Sequence, residues 1–191
     1  RDIIFVVKQV LDAGANIIQL RDKISTIDEI SRFAYEIQKI VTSYNKTFIL
    51  NDYVNIAKNI NSDGIHVGQK DMSIIKARKI LSAEQIIGTS NATIEEAKIS
   101  DNYDVDYIAV GSMFETNTKK DTRPAGIETL KKVREHTSKS IVAIGGINLE
   151  NCTEVLNAGA DSICIASAIT KSDNIMDTCT KFVNKFDQIR K

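Results

Sequence analysis

A short polar segment carries three side chains that could hold an anion: Gln19, Arg21 and Lys23. It directly follows an apolar run, and residues two apart in a strand face the same way. These side chains are therefore expected to point into the interior of a sheet, opposite apolar neighbours that pack on helices. An unpaired arginine and lysine would be costly there. A bound anion removes that cost, with diphosphate a good candidate; the alternative is an internal salt-bridge network with Asp22 or Asp52.

Two aspartates follow the next two apolar runs. Asp52 comes directly after Leu50 and Asn51, and Asp71 ends the segment Gly68-Gln69-Lys70-Asp71. Consecutive strands are usually neighbours, so their ends would approach a common point. Mg²⁺ keeps several waters and uses few protein ligands, which suits a carboxylate pair shared with a phosphate. The alternative is that Asp71 forms a turn or caps a helix.

Phosphate-binding features recur later in the chain. The segment from Ser112 to Gly126 is long enough for an active-site lid, and the alternative is plain solvated surface. Two small-residue turns, Gly145-Gly146-Ile147 and Ala166-Ser167-Ala168, follow the last two apolar runs, where barrels often hold a phosphate. The long segment also supplies hydroxyl and cationic side chains and the only proline: Thr116, Thr118, Lys119, Lys120, Arg123 and Pro124.

Neither the histidines nor the cysteines form a nucleophilic or metal-binding arrangement. His66 lies inside an apolar run, so we expect a buried, hydrogen-bonded residue and not a base. The three cysteines, Cys152, Cys164 and Cys179, are odd in number and lack metal-ligand spacing. Their pattern is typical of reduced thiols in a cytoplasmic protein.

Short Ile/Val-rich runs alternate with amphipathic stretches along the chain, in the order α(βα)₇. Thr26 and Thr93 each precede two acidic residues and are predicted helix N-caps. The predicted strands are Ile17–Leu20, Thr47–Leu50, Gly64–Val67, Ile86–Gly88, Tyr107–Val110, Ser140–Ile144 and Ser162–Ala166.

Length and composition limit the number of domains, the fold and the classes of partner that this chain is expected to have. The 191 residues predict a single domain, residues 1–191. Lys+Arg and Asp+Glu are both 25, so the net charge of +0 argues against a nucleic-acid partner, and no apolar run is long enough for a membrane span. The sequence is compatible with a homo-oligomer and does not give the oligomeric state. The alternation fits an open doubly wound sheet or an eight-stranded barrel without its first strand, although a barrel usually needs about 250 residues.

The combination of motifs resembles the thiamine-phosphate synthase family. The blocks occur in family order and span nearly the whole chain. They are QLRDK (19–23), ND (51–52), SDGIHVGQKD (62–71), GTS (88–90), DYIAVGSMFETNTKKDTRP (106–124), VAIGGI (142–147) and AGADSICIASAI (158–169).

The resemblance implies an α/β fold, a (β/α)₈ TIM barrel, and a transferase with Mg²⁺ as cofactor. The small-molecule substrates would be a hydroxymethylpyrimidine diphosphate and a thiazole phosphate, and the products thiamine phosphate and diphosphate. In this family the pyrimidine methylene is thought to become a carbocation that the thiazole nitrogen attacks. Because the motifs match strands two to eight, strand one is expected upstream of Arg1, in a chain incomplete at its N-terminus.

The resemblance also implies a role for each matching residue. Arg21, Lys23 and Lys119 would be catalytic, and Asp52 and Asp71 would bind Mg²⁺. The pyrimidine diphosphate would contact Gln19, Arg21, Lys23, Asn51, Ser90 and Lys119, and the thiazole phosphate would contact Thr116, Thr118, Gly146, Ala166 and Ser167.

The chain departs from the family pattern at two places, and the first of them bears on the alternatives. Family members often have Ser-x-His where this chain has Ser90-Asn91-Ala92, and Pro where it has Ser112. The related thiazole tautomerases use a histidine in the first region and lack parts of the diphosphate site, so Ala92 favours the synthase. A non-catalytic barrel that binds a phosphate ligand is the remaining alternative; it would not require both Asp52 and Asp71.

Overall fold

A computed structural model describes residues 1–115 and 123–190. The strands are β1 (Ile17–Leu20), β2 (Thr47–Asn51), β3 (Gly64–Val67), β4 (Ile86–Asn91), β5 (Tyr107–Gly111), β6 (Ser140–Ile144) and β7 (Ser162–Cys164). The helices are α1 (Ile3–Asp12), α2 (Ile27–Ser43), α3 (Val54–Asn59), α4 (Ile74–Ile80), α5 (Ile94–Asp101), α6 (Gly126–His136), α7 (Cys152–Asn157), α8 (Ser167–Thr170) and α9 (Ile175–Ile189). All seven predicted strands are confirmed, with β2 and β5 one residue longer, β4 three residues longer and β7 two residues shorter than expected.

The seven strands form one parallel sheet in the order β1-β2-β3-β4-β5-β6-β7. A doubly wound sheet would reverse its strand order at a switch point, so sequential order identifies the TIM-barrel-like alternative. The expectation of a closed (β/α)₈ barrel is not met within the described residues. Seven strands are present there, and β1 and β7 are the two edges of the sheet because they do not pair with each other.

The two faces of the sheet carry different side chains. Alternate residues such as Phe48, Leu50 and Ile65 are fully buried against the helices and belong to the main hydrophobic core. The opposite, concave face holds the polar residues Asn51 and His66, which are also buried. Helices cover one face of the parallel sheet, so the strand termini and the concave face are where polar groups gather.

The helix starts follow the sequence signals. Thr26 and Glu29 form a reciprocal capping box at the start of α2, as the Thr–Asp–Glu pattern predicts. The Thr93 side chain likewise accepts a hydrogen bond from the backbone N–H of Glu96 at the start of α5. No helix in the described part of the chain combines the length and apolarity needed to cross a membrane.

One arrangement repeats at the amino ends of alternate strands, where Asp63, Asp106 and Asp161 precede β3, β5 and β7. Each carboxylate accepts a hydrogen bond from the second backbone N–H of the strand before it, and each of these bonds is 2.7 or 2.8 Å long. The donors are Phe48, Ile87 and Ile141. These aspartates stabilise the sheet at the end opposite the predicted site.

Asp106 also forms an ion pair with an arginine of α4, the helix that precedes β4. Arg78 of α4 contacts the Asp106 carboxylate at 3.0 Å and the neighbouring Asp104 carboxylate at 2.9 Å. Only Asp106 bonds a buried backbone N–H as well, because Ile87 is fully buried.

Asp106→Ala should lower the free energy of unfolding by about 1–3 kcal/mol, since it leaves the Ile87 N–H without its acceptor. Asp104→Ala is the matched control, because it removes an exposed partner of the same arginine and should cost less than about 1 kcal/mol. Urea denaturation of both variants provides the measurement. Equal losses would show that the arginine contact, and not the backbone bond, matters.

Candidate active site

The described site residues gather at the carboxyl ends of the strands. Gln19 lies in β1, Asn51 ends β2 and Ser90 lies near the end of β4. Gly146 follows β6, whereas Ala166 and Ser167 follow its neighbour β7. The structure therefore brings these residues to the end of the sheet where the strands terminate, which we call the strand edge. The predictions for Thr116, Thr118 and Lys119 lie outside the described residues.

Arg21 and Lys23 are not inside the sheet, contrary to the expectation from strand alternation. Strand β1 ends at Leu20, so both residues lie in the following loop and are exposed. Lys23 forms an ion pair with Asp52, so that part of the salt-bridge alternative is confirmed. Arg21 makes no hydrogen bond or ion pair with the described residues. Its guanidinium is therefore available to a ligand at the strand edge.

Asp22 shapes the loop that holds these two cations. Its carboxylate accepts hydrogen bonds from the backbone N–H groups of Ile24 at 2.8 Å and Ser25 at 3.0 Å. Hydrogen bonds from the Ser25 side chain and from these backbone groups lower the pKa of Asp22. Asp22 is thus engaged in the turn and does not neutralise Arg21.

Asp52 is the most unusual charged group of the strand edge. Its side chain is 13% exposed, and its backbone has a positive φ of 71°. The Oδ1 atom is buried and accepts no hydrogen bond from the described residues. Burial raises the pKa of Asp52 and the neighbouring Asp71 carboxylate adds to this rise, whereas the Lys23 ion pair acts in the opposite direction.

Asp71 therefore lies close to Asp52, as the strand order predicts, but it also has a structural role. Its Oδ2 accepts the backbone N–H of Gly68 at 2.8 Å, so the turn-forming alternative is confirmed as well. Two adjacent carboxylates, one with a buried oxygen that receives no hydrogen bond from the described part of the chain, form a set of hard oxygen ligands. These residues fit a divalent cation such as Mg²⁺.

A buried hydrogen-bonded chain lies beside this pair on the concave face. His66 Nε2 is 2.7 Å from Ser90 Oγ, and His66 Nδ1 is 2.8 Å from the Tyr107 hydroxyl. Gln69 donates to the Ser90 carbonyl at 2.8 Å and so fixes the backbone there. The expectation of a hydrogen-bonded His66 is confirmed. Sequence analysis missed Tyr107 and Gln69, although a glycine opposite an aromatic residue across two strands, Gly88 and Tyr107, was a usable signal.

The turn after β6 is suited to close backbone approach. Gly146 has a φ of 68°, and a Cβ there would lie 2.7 Å from both the Phe114 Cβ and the Glu115 carbonyl oxygen. Only glycine fits this position without a shift of the neighbouring backbone. Ala166 and Ser167 occupy the equivalent position after the adjacent strand, so small residues line this side of the edge.

The segment after β5 is fixed at both of its described ends. The Ser112 N–H donates to the Arg123 carbonyl at 3.1 Å, and the Ala125 N–H donates to the Ser112 carbonyl at 2.9 Å. Arg123 makes a two-pronged ion pair with Glu96 of α5, at 2.6 and 3.0 Å. Arg123 is thus a structural anchor and is not among the cations available to a ligand.

Comparisons with known proteins agree with this geometry. The family profile "Thiamine monophosphate synthase" matches residues 1–169. The thiamine-phosphate synthase of Persephonella marina is 39% identical over 184 residues, which are 96% of this chain and 88% of the relative. The thiamine-phosphate synthase of Clostridium novyi is 40% identical over 179 residues, which are 93% of this chain and 88% of the relative.

A solved structure agrees over nearly the same range. The thiamine phosphate pyrophosphorylase from Pyrococcus furiosus superposes with a TM-score of 0.93 at 31% identity. The match covers 99% of this chain and 91% of that protein.

Asp52→Asn should raise the melting temperature in metal-free buffer. The pKa of Asp52 is raised above its unfolded value of about 3.9, so ionisation destabilises the folded state as the pH rises past that value. The gain should be a few degrees at about pH 7, since about 1 kcal/mol moves the Tm of such a domain by about 2–4 °C. It should vanish at about pH 3, where both states are protonated.

Thermal unfolding followed by circular dichroism at both pH values measures the effect. Asp187→Asn, an exposed position in α9, controls for the change in net charge and should leave the Tm unchanged. A lower Tm for Asp52→Asn at neutral pH would contradict the raised pKa of Asp52.

Proposed function

Because this chain belongs to the thiamine monophosphate synthase family, we propose that it joins a hydroxymethylpyrimidine diphosphate to a thiazole phosphate. The products are thiamine phosphate and diphosphate. The family resemblance identified from the sequence motifs is confirmed by the profile match and by relatives of about 40% identity. One observation carries the site assignment: the largely buried Asp52 carboxylate pairs with Lys23, lies beside the Asp71 carboxylate, and has an oxygen that accepts no hydrogen bond from the described residues.

The diphosphate is bound by the cationic and amide groups at the ends of β1 and β2. Arg21 and Lys23 supply positive charge, and Gln19 and Asn51 supply amide donors from the adjacent strands. Lys23 currently pairs with Asp52, so the diphosphate and that carboxylate compete for the same ammonium group. Arg21 has no such competitor among the described residues and is the residue expected to contribute most.

Asp52 and Asp71 would hold Mg²⁺, which when bound neutralises negative charge on the departing diphosphate. The chain itself provides the two carboxylates, and Lys23 and Arg21 stabilise charge that grows on the leaving oxygen. The Oδ1 atom of Asp52 accepts no hydrogen bond from the described residues, and a cation between the two carboxylates would remove their mutual repulsion.

The thiazole phosphate is bound at the other half of the edge. Gly146 would contribute its backbone N–H after β6, and Ala166 and Ser167 would contribute backbone N–H groups and a hydroxyl after β7. Thr116 and Thr118 would contact the same substrate, and Lys119 would reach the diphosphate. These three assignments rest on family membership.

Cleavage of a C–O bond to diphosphate needs a stabilised leaving group more than a general base. His66 is engaged on both ring nitrogens, with Ser90 and Tyr107, and is therefore not positioned to remove a proton from substrate. The tautomerase alternative is disfavoured because the position of its histidine is Ala92, which is 6% exposed and begins the turn into α5. Diphosphate release distinguishes the synthase from a phosphate-binding barrel without catalytic activity.

The proposal extends to the closure of the barrel and to the location of the protein in the cell. An eighth strand between β1 and β7 would complete the (β/α)₈ barrel of the family. The three cysteines are free thiols, which supports a cytoplasmic location for a reaction between two charged small molecules.

A coupling assay tests the function directly. Purified protein with both substrates and Mg²⁺ should form thiamine phosphate and release one diphosphate for each product molecule. Chelation of the metal should abolish both. Release of neither product by a folded protein would favour the alternatives.

Arg21→Ala should lower kcat about 10²–10³-fold, the loss typical when one charge-stabilising group is removed from a transition state. The Tm should be unchanged, because Arg21 is exposed and has no partner among the described residues. Arg32→Ala on the exposed side of α2 is the matched control and should keep wild-type turnover. Wild-type kcat in Arg21→Ala would remove its assigned role.

A further inference from the structure

We propose that Tyr107 and His66 are positioning residues that fix the Ser90 hydroxyl as a hydrogen-bond donor toward the pyrimidine substrate. The proposal rests on the proposed function for the identity of the ligand. It adds a direction to the hydrogen bond that Ser90 makes, and it assigns roles to two residues that do not themselves contact substrate.

Tyr107 is the first residue in the series of hydrogen bonds that runs from Tyr107 through His66 to Ser90. Its ring lies over Gly88 of the neighbouring strand, where an added Cβ would be only 1.9 Å from the ring carbon Cζ. This close approach lets the hydroxyl reach His66 Nδ1 at 2.8 Å, with the two rings stacked at 5.6 Å between centroids. Gly88 therefore leaves the space that the Tyr107 ring occupies, and a larger residue there would displace the ring.

The direction of the first hydrogen bond follows from the chemistry of the tyrosine. Burial raises the pKa of Tyr107, so its hydroxyl stays protonated. His66 Nδ1 is the hydrogen-bond partner of that hydroxyl, and a buried O–H without an acceptor is more costly than an acceptor without a donor. Tyr107 therefore donates to Nδ1, which must be the unprotonated ring nitrogen.

The second hydrogen bond then has one orientation. A neutral imidazole that accepts at Nδ1 carries its proton at Nε2. The Nε2–H donates to Ser90 Oγ at 2.7 Å, so the serine oxygen is an acceptor in this contact. The Ser90 hydrogen has no acceptor among the described residues, and it is left for a ligand at the carboxyl end of β4.

The consequence concerns substrate selection. A hydroxyl fixed as a donor favours an acceptor atom on the pyrimidine, such as a ring nitrogen lone pair, and disfavours an N–H group at the same place. If Tyr107 were absent, the imidazole could carry its proton at Nδ1 and accept from Ser90. The serine hydrogen would then point to His66 and not to substrate.

The tautomer can be measured without any turnover. The chain has two histidines, so ¹⁵N-labelled imidazole NMR of the wild-type protein and of His136→Gln assigns the His66 signals. The expected spectrum shows a protonated Nε2 and an unprotonated Nδ1 for His66, and loss of this preference in Tyr107→Phe. A protonated Nδ1 in the wild-type protein would overturn the proposal. Because this test uses no substrate, its outcome is independent of whether the protein makes thiamine phosphate.

A double-mutant cycle tests the positioning role. Tyr107→Phe should lower kcat/KM for the pyrimidine diphosphate about tenfold, with the KM for the thiazole phosphate unchanged. In the Ser90→Ala background the same change should alter kcat/KM less than about twofold, because Tyr107 acts only through that hydroxyl. Equal losses in both backgrounds would indicate a purely structural tyrosine and contradict the proposal. Tyr103→Phe, at an exposed tyrosine, controls for removal of a hydroxyl.

Discussion

Sequential parallel pairing is the constraint on which the other features depend. Because every strand pairs with the next strand in the chain, all seven carboxyl ends face the same way and lie at one edge. Residues more than one hundred positions apart, such as Asn51 and Ser167, are brought to this edge by strand order alone. Each βα turn then needs to supply only one or two functional groups. A site for two phosphorylated substrates can therefore be assembled from short motifs spread along the whole chain.

The carboxylates at the two ends of the sheet differ in their hydrogen bonding. At the amino ends, Asp63, Asp106 and Asp161 accept buried backbone N–H groups, so their negative charge is well stabilised. At the carboxyl ends, Asp52 has a buried oxygen that accepts no hydrogen bond from the described residues, and a second carboxylate lies beside it. The first arrangement stabilises the fold. The second places two carboxylates together at a cost in free energy, as is common at functional sites.

The sequence predicts the strands well, and the features that it does not predict have identifiable physical causes. Apolar runs located all seven strands, but alternation could not show that β1 ends at Leu20, so Arg21 was expected in the interior and lies in an exposed loop. The pairing of Asp52 with Asp71 followed from strand order. Tyr107 was missed because its role depends on the space above Gly88, a contact between strands that no single segment reveals. Strand order distinguishes the barrel-like sheet from a doubly wound one, and it could not be predicted from hydrophobic periodicity.

Calorimetric titration of the protein with inorganic diphosphate, in the presence and absence of Mg²⁺, is the most direct test of the central claim that the strand edge is a metal–diphosphate site. Wild-type protein should bind diphosphate much more tightly with Mg²⁺ than without it, and Asp52→Asn should lose this difference while Asp187→Asn retains it. Diphosphate binding that is independent of Mg²⁺ in the wild-type protein, or an undiminished Mg²⁺ effect in Asp52→Asn, would contradict it.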